Sequence, residues 1–203
     1  MTRLFFILAL LFAVPATGQS FEGTIEWTES KGRSEFTLKM MVKDAMVRVE
    51  TYSSGELKGV KLVDTKTGTV SIMVPRKKLY FVEPQKEHEH ADYTMKKTGN
   101  VRAILGYDCE QIVIENTTLN RKVRMWVTKE SFNFFGPLAA ALFREGYEDY
   151  FITDAPLGMM PLEVTVMKGN GLELTERKVT FITSEKLDEM LFKVPDDYHL
   201  WER

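Results

Sequence analysis

Glu87-His88-Glu89-His90 is the stretch whose residue types and spacing best suit metal chemistry. In an extended chain alternate side chains point the same way, so His88, His90 and Asp92 share a face. Two imidazoles and a carboxylate can hold a divalent ion. The same stretch is dense in charge, which equally suits a solvated loop or sheet edge. The solvated reading is the expectation, with no metal site and no cofactor. His199 is isolated near the C-terminus. A nucleophile elbow, a phosphate-cradling glycine loop and a zincin helix are all missing. Gly169-Asn170-Gly171 lies between two strand-like runs and not before a helix, so it reads as a turn. Three histidines leave few candidates for acid–base work. No catalytic residue is predicted, and the expected role is not enzymatic.

Cys109 is the only cysteine, so no intramolecular disulfide is possible. It sits in the strand-like run Tyr107-Asp108-Cys109-Glu110-Gln111-Ile112-Val113-Ile114, and a buried, inert thiol is expected. The chain has 11 methionines, a flexible residue that fills cores and also recurs on surfaces accepting varied apolar ligands. Trp27, Phe36, Phe81, Trp126 and Phe181 could line either a core or a pocket.

The N-terminus carries Arg3, an apolar run over 4–14, Pro15 and the small-residue stretch Ala16-Thr17-Gly18. This is the pattern of a secretory signal peptide over residues 1–18. The run is too short to span a bilayer, which needs about 20 apolar residues, so no transmembrane segment is expected. The chain should be periplasmic or secreted, and soluble once the leader is removed. Residues 19–203 are expected to form one domain. A formal charge of −2 gives no general attraction to nucleic acid.

Most of the chain after residue 20 alternates with a period of two, the signature of half-buried strands. Phe21, Gly23, Ile25 and Trp27 alternate with Glu22, Thr24, Glu26 and Thr28; Phe36, Leu38, Met40 and Val42 alternate with Thr37, Lys39, Met41 and Lys43. Turn chemistry recurs at Ser30-Lys31-Gly32, Ser53-Ser54-Gly55 and Asp64-Thr65-Lys66-Thr67-Gly68. Such spacing predicts an antiparallel meander, because parallel strands need crossovers that have no room here. Residues 84–100 read as a polar loop or weak edge strand. Later strands are expected at 107–115, 122–128, 161–168, 171–183 and 191–194. One segment departs from the pattern. Gly136-Pro137 followed by Leu138-Ala139-Ala140-Ala141-Leu142-Phe143 and closed by Gly146 suits a short helix over 137–145. It is nearly all apolar, so it must either pack on a sheet face or plug a groove.

Three stretches carry a family resemblance: Gly106-Tyr107-Asp108-Cys109-Glu110, Val123-Arg124-Met125-Trp126-Val127, and the ending Leu191-Phe192-Lys193-Val194-Pro195-Asp196-Asp197-Tyr198. With the meander and the leader, they resemble an exported bacterial family known only as a domain of unknown function. That family is similar to the periplasmic lipoprotein carriers LolA and LolB. The resemblance implies a mainly β fold, a LolA-like incomplete half-barrel with one or two short helices over its concave face. It implies an apolar ligand, a lipid or lipoprotein acyl chain. Under that reading Trp27, Phe36, Leu38, Met40, Phe81 and Met125 line the groove, and Leu138, Leu142 and Phe143 belong to the lid. The alternative is an envelope interaction or stress-response module with a packed interior and a protein partner. An open apolar cavity would favour the first reading, and a filled interior the second.

Overall fold

The computed structural model describes residues 21–83, 93–117, 120–130, 132–142 and 159–202. Residues 1–18, expected to be a leader, lie outside them, as do His88, His90, Asp92 and Phe143. Twelve strands form one sheet: β1 (Gly23–Lys31), β2 (Ser34–Lys43), β3 (Met46–Ser53), β4 (Glu56–Asp64), β5 (Thr69–Val74), β6 (Leu79–Glu83), β7 (Tyr93–Ile104), β8 (Tyr107–Asn116), β9 (Arg121–Thr128), β10 (Pro161–Lys168), β11 (Glu173–Ser184) and β12 (His199–Leu200). Helix α1 spans Phe135–Leu142.

The sheet order is β12-β6-β5-β4-β3-β2-β1-β11-β10-β9-β8-β7. It is therefore two meanders, β1 to β6 and β7 to β11, joined where β1 pairs with β11. Every pairing is antiparallel except β12 on β6. The predicted mainly β, unclosed meander is what the structure has.

Hairpin chemistry explains several turns. Ser54-Gly55 and Leu105-Gly106 are two-residue loops with positive φ at both positions, at 52° and 76° and at 52° and 86°. That is the mirror-image turn whose twist matches the flanking strands. Gly106, part of the family-like stretch, is thus needed to turn the chain into β8.

The sheet must curl. β5 and β8 are eight steps apart in the sheet order. A flat sheet would separate them by about 38 Å at about 4.8 Å per strand. Yet the short run 132–142 reaches both, since Phe132 packs on Tyr107 at 5.7 Å and α1 packs on β4 and β5. A chain of that length, mostly helical, spans about half the flat distance. The curled inner face carries Ile25, Trp27, Leu38, Met40, Val42, Val47, Val49, Val63, Val70, Met125 and Val164, all buried in one core with α1.

The outer face of β3 to β6 has its own cover. Val60, Leu62 and Met73 form a second core with Leu57, Tyr80, Val194 and Tyr198. The C-terminal segment reaches it as a strap. Lys43 Nζ donates to Leu187 O at 2.7 Å and Arg48 Nη1 to Leu191 O at 3.0 Å. The expected strand at 191–194 is not formed. Residues Glu189–Phe192 make a 3₁₀ turn, capped by Asp188 accepting from the Met190 amide at 2.9 Å. Pro195, which has no amide donor, follows, and strand pairing begins only at His199.

Of the two expectations for residues 84–100, a polar loop or a weak edge strand, residues 93–100 take the second. They belong to a full edge strand, β7, which runs on to Ile104 and is exposed along nearly its whole length. It bulges where Lys97 faces Ile112 and Val101 faces Glu110. Thr98 and Asn100 there both donate to Gln111 Oε1 at 3.0 Å. Bulges of this kind are one way a sheet edge is blunted.

The β1–β11 seam depends on a missing side chain. A Cβ at Gly23 would stand 2.0 Å from the Thr183 carbonyl oxygen. Backbone cannot yield as a side-chain tip can. Gly23→Ala is expected to lower stability by about 2 kcal/mol, the scale of overpacking against fixed neighbours. A chemical-denaturation midpoint equal to that of the parent chain would refute this.

On β3, Arg48, Glu50 and Tyr52 form a row under the strap. Arg48 Nε donates to Glu50 Oε1 at 2.7 Å and the Tyr52 hydroxyl to Glu50 Oε2 at 2.6 Å. Burial, then the hydrogen bond and charge of Glu50, push the Tyr52 pKa from 10.0 up to about 12. A raised folded pKa gives stability that is whole below the unfolded value and lost as pH climbs through the folded one. Unfolding measurements should therefore show stability falling between pH 10 and about 12. Tyr52→Phe should flatten that part of the profile, and an unchanged slope would count against the assignment.

Candidate functional site

The site is built on the inner face, where α1 meets β1 to β5. Phe135 N–H donates to Phe132 O at 2.8 Å and Leu138 N–H to Phe134 O at 3.0 Å, which starts the helix. Pro137 fits the first turn, where an amide needs no partner. The alanines carry the helix on at little entropic cost. Phe135, Leu138, Ala139, Ala141 and Leu142 are buried, whereas Pro137 is exposed. The helix carries no charged side chain. Its hold on the sheet is therefore apolar contact alone. The aromatic run before it adds to this: Phe132 and Phe134 pack on Phe21 at 5.4 and 5.8 Å.

Beneath Leu142 lies a residual cavity of about 20 Å³, lined by Trp27, Leu38, Met40, Val49, Lys61, Leu142 and Arg177. It has room for about one water molecule. The inner face is thus packed against α1, and the cavity bordered by Trp27, Leu38 and Leu142 is far too small for an acyl chain.

Four of the predicted residues, Trp27, Leu38, Met40 and Leu142, meet at this cavity. Met125 and Leu138 are buried in the same core. Phe36 is half-buried near the start of β2, outside that core. Phe81 lies towards the far edge, with Trp201 edge-on at 6.1 Å.

The polar members were not foreseen. Arg177 is 2% exposed and pairs with Glu29, its Nε donating to Oε2 at 3.1 Å with Nη2 on the same oxygen. Its guanidinium lies 5.2 Å from the centre of the Trp27 ring, while Phe135 stacks on that ring at 6.4 Å. Lys61 sits opposite Val49 and Ile72, so it shares the inner face. Trp27 is 3% exposed, and its indole Nε1 finds no hydrogen-bond acceptor among the described residues. A sequence signal did exist for Glu29. It continues the inward series Gly23, Ile25, Trp27, and strict alternation would have placed it there.

Cys109 is 1% exposed, as expected for an inert thiol. Burial pushes its thiol pKa up, away from the reactive thiolate. Among the described residues no cluster of three or more His, Cys, Asp or Glu could hold a metal ion. No described helix is long and apolar enough to cross a membrane.

An open antiparallel sheet curled round one short apolar helix defines the half-barrel class of β fold. The chain belongs to the family described as Domain of unknown function (DUF4412), which matches residues 21–198. This agrees with the sequence resemblance to an exported family of unknown function. No curated protein matches the chain. Among solved structures it is similar to an uncharacterized conserved protein from Thermus thermophilus, at 13% identity and a TM-score of 0.57, over 90% of this chain and 91% of that one. It is also similar to a chain of the Pseudomonas aeruginosa MucA/MucB complex, at 12% identity and a TM-score of 0.51, over 88% of this chain and 56% of that one. PNGF-II is similar over 91% of this chain and 31% of its own, at 14% identity and a TM-score of 0.50. The chain therefore spans just over half of the second relative and about a third of the third. At these identities the likeness is one of fold.

Proposed function

We propose that this protein is a non-enzymatic carrier of the cell envelope that shelters an apolar chain, a lipid or lipoprotein acyl group, on the inner face of its half-barrel. The observation that carries the reading is α1: a short, uncharged helix held on the sheet by apolar contact alone. An acyl chain could replace those contacts at similar energy, since each buried methylene is worth about 0.8 kcal/mol. The filled face is then the ligand-free state, with α1 as an occupant that steps aside. The sequence resemblance to LolA and LolB supports the same reading, as does the leader-like N-terminus.

A second reading is favoured by the same filling and by the fold shared with a chain of the MucA/MucB complex. In it α1 is permanent core, and the protein works by docking a protein partner. Native mass spectrometry of the chain purified from the envelope separates the two. A lipid-sized adduct, lost on delipidation and regained with added lipid, is expected of a carrier. A bare chain that takes up no added lipid would leave the docking reading.

A further inference from the structure

We infer that the end of the half-barrel formed by the β1–β2, β8–β9 and β10–β11 turns is a docking surface for an anionic lipid bilayer. This deepens the carrier reading by naming the surface with which the protein exchanges its cargo, and it can be tested apart from cargo binding.

The pairing register brings these turns together. Lys31 pairs with Thr175, Thr175 with Val166, and Val166 with Val123. Two residues further towards the same end, Lys168 stands directly opposite Arg121. Arg33 lies in the β1–β2 turn beside Lys31. The four cations thus fall within three strand steps, about 14 Å at about 4.8 Å per strand.

Their charge is not neutralised by the described residues. Lys31, Arg33 and Lys168 are exposed and Arg121 is half-buried. None of the four joins an ion pair among the described residues, because the neighbouring acids are engaged elsewhere. Glu29 holds Arg177, Glu115 holds Lys122, Glu173 faces Arg124 and Glu176 holds Lys178. Glu35 is the exposed acid left beside Arg33. Like charges directly opposite in a sheet are destabilising, so Lys168 facing Arg121 is a cost that an anionic surface removes. The whole chain has a formal charge of −2, so this end has the opposite sign to the molecule. Exposed Asp44 and Asp108 stand at the turns of the other end. Charge sorted in this way orients a protein before it makes contact.

Leu172 favours a bilayer over a soluble polyanion. It sits in the β10–β11 turn and is 56% exposed. The turn is held in shape, since Gly171 N–H donates to Lys168 O at 2.8 Å and Leu172 N–H to Asn170 Oδ1 at 3.1 Å. An apolar side chain presented among cations can bury below the headgroups while the cations stay at phosphate level.

The test sediments the full chain with vesicles of phosphatidylcholine, with or without about one-third phosphatidylglycerol. Binding is expected only with phosphatidylglycerol, and added salt should weaken it. Arg33→Gln with Lys168→Gln should weaken it about twentyfold, whereas Lys66→Gln with Lys129→Gln, the same charge change at the other end, should leave it nearly unchanged. An environment-sensitive dye on Leu172→Cys, in a Cys109→Ser background, should shift to the blue with these vesicles and not with heparin. Equal binding to both vesicles, or to neither, overturns the inference. So does an equal loss in the two double variants, or a dye that stays unshifted while the chain sediments. Melting curves verify folding, and should a variant fail, the lipid and salt dependence of the native chain decides. Fatty-acid binding in solution is read on the same proteins. If it persists without vesicle binding, only the docking surface falls; if it is absent while vesicle binding persists, only the carrier reading falls.

Discussion

Leu138→Asp is expected to detach α1 from the sheet. Leu138 is fully buried, at 0% exposed, and belongs to the core that α1 shares with the inner face. It is not among the residues lining the cavity with Lys61 and Arg177, so a carboxylate there has no cation at the cavity to meet. The lost leucine contacts and the uncompensated charge together should cost the docked state about 4 kcal/mol. A hydrophobic dye should bind the exposed face, and the denaturation midpoint should fall. Leu142→Asp is the useful contrast. Its side chain borders the cavity, which has room for about one water, so the carboxylate can keep some hydration and a clearly smaller loss is expected. Equal losses in the two variants would mean that the cavity gives a charge at that position no relief.

Fixing α1 in place should abolish ligand uptake. Cysteines introduced on α1 and on the facing stretch of β4, in a Cys109→Ser background, would join the helix to its floor, since the two elements are in contact. The oxidised chain should bind a fluorescent fatty acid no better than background, and reduction should restore binding. If the oxidised chain binds as well as the reduced one, α1 is not a displaceable occupant. The docking of a protein partner would then become the leading account.

Much of this fold could be read from alternation and turn chemistry, and the failures have identifiable causes. β1 and β2 were legible because Ile25, Trp27, Leu38 and Met40 recur at every second position, even though Thr24 and Met41 on the other face are buried too. β7 was only half legible, as a loop or a weak edge strand, because an edge strand exposed along its length carries no apolar period. The segment 191–194 has strand-like residues, yet the Asp188 cap and Pro195 impose a turn. α1 was legible in composition, but it starts two residues earlier than expected because Phe135 already takes part in the first turn, and its expected end at 145 lies outside the described residues. Trp27, Leu38, Met40 and Leu142 could be named in advance as apolar residues of one face. Their meeting with Arg177 could not, because that depends on a pairing between opposite ends of the chain. A charged residue in a strand also reads by default as solvated, which hid the Glu29–Arg177 pair.

The β1–β11 seam has a kinetic consequence. Within each meander the strands pair with sequence neighbours, which needs short loop closures everywhere except between β9 and β10, where 32 residues intervene. The seam instead joins positions such as Thr24 and Glu185, hydrogen-bonded at 2.7 Å across 161 residues. Long closures are slow to form, so the two ladders should assemble first and dock afterwards. The cavity lining is divided between them: Trp27, Leu38, Met40, Val49 and Lys61 come from one ladder and Arg177 from the other. On the carrier reading, a newly made chain would therefore own no complete inner face until its final folding event. Cargo bound across the seam would then act as a clasp, slowing separation of the ladders and lengthening the lifetime of the loaded protein relative to the empty one.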